Sequence, residues 1–277
     1  MKRIVSKSAT GLSFLKFLGV GLLLSIVVYG ITLFTTTEPK TTTILVFAAS
    51  SLKPVLTEIT PLYTQANPTV TVNYRFGGSG SLSQQLLQGA QSDVFIGAAT
   101  EHLTALNNDN LLISGTEASI AANRLALVVP TINHFNDLTD PPISDFIDLA
   151  KDEVQRVTIG NPRLVAAGKY AQEVLEKSGV WRQVEPKIAL AQDARAILEA
   201  VETGDTDAGL MYLTDAQTSD LVEVVKVSPL DLHSPIIYPA AVLKSSGQPK
   251  IARDYVEFLQ SKPAQKILEK YGFQMPN

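Results

Sequence analysis

No cysteine occurs anywhere in the 277 residues. That excludes disulfides, thiolate metal ligands, a cysteine nucleophile and lipid attachment at a lipobox cysteine. Histidine is nearly as scarce: His102, His134 and His233 are scattered without metal-ligand spacing, and surface positions suit all three. The chain also lacks a Gly-x-Ser-x-Gly elbow, a His-Glu-x-x-His pair and a convincing carboxylate dyad. The glycines of Gly77-Gly78-Ser79-Gly80 are followed by no Gly-Lys-Ser/Thr, so a nucleotide P-loop is not supported. These absences argue against an enzyme and against a cofactor. Positive charge is short as well. Beyond residue 40 there are 18 basic and 26 acidic side chains, a net charge of −8. No basic stripe is left to neutralise phosphates, so nucleic acid is not an expected partner.

What is present begins with an export signature. Lys2, Arg3, Lys7 and Lys16 precede a stretch of 21 uncharged residues, Phe17 to Thr37, with the apolar centre Leu22-Leu23-Leu24-Ser25-Ile26-Val27-Val28. A basic start followed by an apolar run directs export. The run is long for a cleaved signal, sufficient to span a bilayer, and no clean small-x-small cleavage site follows it. Residues 1–40 read as a signal segment able to stay as a membrane anchor through residues 17–37. The remainder is expected on the periplasmic or extracellular face of the cytoplasmic membrane.

From Thr41 onward, short apolar runs alternate with amphipathic helical patterns. Strands are expected over 44–49, 69–76, 93–98, 124–130, 156–160, 208–213, 222–228 and 236–243. Helices are expected over 52–65, 81–89, 101–107, 168–178, 194–203, 250–260 and 263–271. This alternation predicts an α/β fold with largely parallel sheets. In such sheets ligands bind beyond the carboxyl ends of the strands. No linker, repeat or low-complexity tract marks a boundary, and Asp140-Pro141-Pro142 reads as a breaker inside a polar loop. Two lobes would therefore be joined by strands crossing at Arg124–Pro130 and Ile236–Val242. The expected division is 41–123 plus 239–277 for one lobe and 124–238 for the other.

Five turns fall where a ligand would sit. Ile44–Ala49 runs into Ser50-Ser51 before a helix, and Val70–Phe76 runs into Gly77-Gly78-Ser79-Gly80-Ser81 before another. Serine at such a junction is most often an N-cap, yet two such turns facing each other would cradle an anion on helix N–H groups. Ala166-Ala167-Gly168 opens a third helix without a side chain over its first N–H groups. Asp193 reads as the N-cap of a fourth, with Ala194 at its start. Tyr212 ends an apolar strand, where its hydroxyl faces either a cleft or the core.

Taken in order, Val46–Leu52, Phe76–Leu82, Ser92–Ala98, Gly160-Asn161-Pro162, Ala167–Ala171, Asp193-Ala194-Arg195, Gly209–Tyr212 and Tyr271-Gly272-Phe273 resemble the periplasmic molybdate-binding proteins of ABC transporters. The resemblance covers residues 43 to 273. It implies a two-lobed periplasmic-binding-protein fold (type II) closing on one tetrahedral oxyanion, molybdate or tungstate, for delivery to a membrane permease. It also implies a monomer, with molybdenum present only inside the oxyanion and no direct protein–metal ligands. Position by position, the oxyanion ligands would be Ser51, Ser79, Ala167, Ala194 and Tyr212. Ser50 stands where the family commonly has alanine, Gly78 where it has serine and Ala194 where it has valine. Sulfate is the alternative ligand on the same fold. A ligand-sensing effector domain is a further alternative, but it would need a helix-turn-helix where the first 40 residues are apolar.

Overall fold

The structure, a computed structural model, describes residues 41–131 and 143–276. The signal segment, His134 and the breaker at 140–142 lie outside the described residues. From residue 42 onward the chain forms one compact unit. β1 (Thr42–Ala49) opens it, and Ile44, Val46, Phe47, Ala48 and Ala49 are all buried, as expected of a strand covered on both faces. A 3-10 turn, Ser50–Leu52, leads into α1 (Lys53–Ala66), which has Pro54 in its first turn and buries Val55, Leu56, Ile59 and Tyr63 as one stripe. β2 (Val70–Gly77), α2 (Ser79–Leu87), β3 (Val94–Ile96), α3 (Thr100–Asn108) and β4 (Ala118–Asn123) follow.

β5 (Leu125–Pro130), buried throughout, begins a second sheet with β6 (Val157–Gly160), β7 (Ile188–Ala191), β8 (Ala208–Tyr212) and β9 (Val222–Val227). Between them lie α4 (Ala166–Lys177), α5 (Trp181–Val184), α6 (Ala194–Glu202) and α7 (Leu213–Ala216). β10 (Ile236–Val242), α8 (Pro249–Leu259) and α9 (Lys262–Lys270) complete the described elements. The strand orders are β2-β1-β3-β10-β4 and β7-β6-β8-β5-β9, and each sheet has helices packed around it. The chain passes from the first sheet to the second through Arg124 and returns through 228–235.

Both sheets are mixed, where largely parallel ones were expected. β1, β2 and β3 run parallel, but β10 pairs antiparallel with both β3 and β4. β6 runs parallel to β7 and β8, but β5 pairs antiparallel with β8 and β9. The antiparallel strands are those flanking the two passages between sheets.

The carboxyl ends of β1, β2, β6 and β8 all feed turns that meet in one place. Close backbone packing fixes one of them. A Cβ on Gly168, in the first turn of α4, would stand 2.0 Å from the carbonyl oxygen of Gly160 at the end of β6. Only glycine lets that helix lie so flat on its strand.

Candidate anion-binding site

All five residues expected at the site line a single void. Ser51 and Ser79 come from turns of the first sheet; Ala167, Ala194 and Tyr212 come from the second. The void offers the centre of a water-sized sphere only about 10 Å³. So small a void excludes an organic ligand of ordinary size. Larger crevices, about 610 Å³ beside Gln217 and Tyr271 and about 520 Å³ beside Trp181 and Leu190, are lined by no buried unpartnered polar atom among the described residues.

Helix starts surround the void. α2 has Gly78 as its N-cap and α4 has Val165, neither with a side-chain cap, so orphan N–H groups point inward. The N–H groups of Ala166 and Ala167 have no acceptor among the described residues. α6 differs: the Asp193 carboxylate caps it by accepting from the Ala196 N–H at 3.0 Å. Together these helix starts supply positive potential without a buried cation.

The serines do not cap. The Ser79 hydroxyl accepts from the Ala98 N–H at 3.0 Å, and Ser51 Oγ lies 3.1 Å from the Tyr238 hydroxyl. Ser50 accepts from the Ala194 N–H at 3.1 Å, so that N–H, expected to face the ligand directly, is engaged by a side chain from the other sheet. Tyr212 Oη is buried with no hydrogen-bond partner among the described residues. Burial, reinforced by the nearby Tyr238, Tyr170 and Asp215, raises the Tyr212 pKa well above the ordinary phenol value, so it stays a donor.

Sequence reasoning passed over three contributors. Ser50 was visible only as a departure within its turn. Tyr238 and Asn123, which form a buried hydrogen-bond chain behind Ser51, carry no local signal. His233 is buried rather than on the surface: its ring stands edge-on to Tyr170 with centroids 6.0 Å apart, and Nδ1 donates to the Ser234 carbonyl at 2.7 Å. His102 is half-buried on α3. No group of histidine and carboxylate side chains among the described residues is placed to hold a metal ion.

Beneath the site lies one buried carboxyl. Asp215, in α7, is 1% exposed and has an oxygen without a partner. Burial pushes its pKa up to about 7, opposed by the Arg195 guanidinium and assisted by Asp193.

The sequence is similar to known proteins along most of its length. The molybdate-binding protein ModA of Haemophilus influenzae is 33% identical over 228 residues, covering 82% of this chain and 88% of the relative. YvgL of Bacillus subtilis, provisionally named an ABC transporter substrate-binding lipoprotein, is 37% identical over 238 residues, with 86% and 88% covered. Among solved structures, the periplasmic molybdate-binding protein of Azotobacter vinelandii superposes with a TM-score of 0.73 at 19% identity, over 84% of this chain and 100% of that one, which shows the shared two-lobed fold. The family model for bacterial extracellular solute-binding proteins matches residues 44–274. The chain therefore belongs to the bacterial extracellular solute-binding protein family.

Proposed function

We propose that this protein captures molybdate or tungstate outside the cytoplasmic membrane and delivers it to an ABC permease. The observation that carries the reading is the polarity of the void. Ser50 and Ser79 already accept a backbone N–H each, leaving their hydroxyl protons for a ligand; Tyr212 and the first N–H groups of α4 are unengaged donors. Among the described residues no charged side chain lines the void. A site of donors suits a fully deprotonated dianion and offers nothing to an oxyanion that must donate a proton. Neutral donors also leave no buried cation stranded when the ligand departs.

Ser51, Ser79, Ala167 and Tyr212 are proposed to bind the oxygens directly, and Ala194 through the Ser50 hydroxyl to which its N–H donates. The lobes, 41–123 plus 239–277 and 124–238, would close on it as the functional event, without catalysis and as a monomer. Residues 1–40 would export the chain and hold it at the membrane. The similarity to molybdate-binding relatives at 33% and 31% identity supports the ligand class. Sulfate, with the same charge and shape but shorter bonds, is the competing ligand.

Thermal melts with molybdate, tungstate, sulfate and phosphate test the reading. A ligand at about 100 times its Kd stabilises by roughly 2.7 kcal/mol, a shift of a few degrees. Molybdate or tungstate should produce it. A shift with sulfate alone would overturn the assignment.

A further inference from the structure

We infer that Asn123 is a positioning residue that makes Ser51 a donor toward the anion, acting through the Tyr238 hydroxyl. The inference deepens the proposed oxyanion reading and rests on it.

Asn123 ends β4 at the seam between the sheets and is 4% exposed. Its Oδ1 accepts from the Arg124 N–H at 2.8 Å. A backbone N–H can only donate, so the amide oxygen must face it and the orientation of the side chain is fixed. Nδ2 then donates in two directions, to Thr214 Oγ1 at 2.9 Å and to Tyr238 Oη at 3.0 Å. One acceptor is on α7, just past Tyr212; the other is on β10.

Tyr238 is fully buried, and its hydroxyl hydrogen-bonds only to Asn123 and Ser51 among the described residues. Because it accepts from Asn123, its proton has one destination, Ser51 Oγ at 3.1 Å. The opposite direction would leave a buried phenol proton with no acceptor, which is unfavourable. Ser51 thus receives a hydrogen bond from behind and presents its own proton to the void. The chain Asn123 to Tyr238 to Ser51 is three donors in series, each oriented by the one before.

Replacing Asn123 with aspartate keeps the size and reverses the series. A carboxylate accepts from Tyr238, Tyr238 accepts from Ser51, and the Ser51 oxygen turns a lone pair to the ligand. The added charge repels any dianion, so the test compares two dianions: tungstate, which has no proton, and hydrogen phosphate under mildly alkaline conditions, which keeps one. Calorimetric titration of the unaltered chain, Asn123→Asp and Tyr238→Phe gives the tungstate-to-phosphate affinity ratio for each. The ratio should fall about 10- to 100-fold in Asn123→Asp, the worth of one charge-assisted hydrogen bond. It should fall by a smaller factor in Tyr238→Phe, where Ser51 loses its orienting donor without gaining a charge nearby. If both anions weaken by the same factor in the variants, Asn123 is merely structural and the inference fails while the oxyanion reading stands. If Asn123→Asp does not fold, an unchanged ratio in Tyr238→Phe overturns it. Failure of the unaltered chain to bind tungstate would remove both.

Discussion

Ser50 and Ala194, 144 residues apart in sequence, are joined by a 3.1 Å hydrogen bond across the gap between the two sheets. The serine hydroxyl accepts the first N–H of α6, and its proton takes over the inward-facing role of that N–H. Ser50→Ala removes this bridge and returns the Ala194 N–H to the void. Closure on the anion should become less favourable by about 1 kcal/mol through the lost bond. The enlarged site should shift its preference from sulfate toward tungstate. Paired melts and titrations with both anions check the two effects separately.

Tyr212→Phe should act with the opposite sign on stability. The hydroxyl it removes is buried and unpartnered, so the ligand-free melt should hold or rise. Anion affinity should drop about 10-fold or more, because a charge-assisted hydrogen bond is lost. A fall in ligand-free stability would show that the hydroxyl serves the fold instead.

Asp215 predicts a pH dependence. Its carboxyl titrates near pH 7 in the folded chain against an ordinary value of 3.8. Below the ordinary value both folded and unfolded chains hold the proton, and Asp215 has no effect. As pH rises from there the unfolded chain releases its proton first, so stability declines, levelling off above about 7. Asp215→Asn should match the parent at acid pH and exceed it at mildly alkaline pH, by at most about 4 kcal/mol. Ionised Asp215 also opposes a bound dianion, so parent affinity should weaken through neutrality and that of the variant should not. Melts and titrations across the range decide both.

Gly78 tests closure. Its φ of −64° suits any residue, but a Cβ there would lie 2.7 Å from the Leu164 carbonyl oxygen on the opposite lobe. A Cβ on Gly80 would meet the same oxygen at 2.9 Å, next to the Ser81 N–H that donates to it at 3.1 Å. Gly78→Ala should therefore cut anion affinity about tenfold or more by blocking contact between the lobes, with little loss of ligand-free stability. Small-angle scattering with and without tungstate should show less compaction than in the parent.

The parts of the fold legible in the sequence were those with a strong local pattern. β1, β5 and β10 are near-continuous apolar runs, and α1, α4 and α8 carry clear amphipathic stripes. β4 (Ala118–Asn123) was missed because its small residues form no apolar run, and β7 because it has four residues and leaves Leu190 exposed. The turns of the site were legible because strand, small residues and helix follow in order. Asn123 and Tyr238 were silent for another reason: their partners lie 115 and 187 residues away in sequence, and nothing in the flanking residues encodes such pairing.

The contact between Gly160 and Gly168 sets the reach of α4. With the helix pressed flat on its strand, the unengaged N–H groups of Ala166 and Ala167 lie at the void. A single methyl group at either glycine would push helix and strand apart and shift those donors. The radius of any anion held in the void is thus gauged in part by two residues whose own role is to let a helix sit close to a strand.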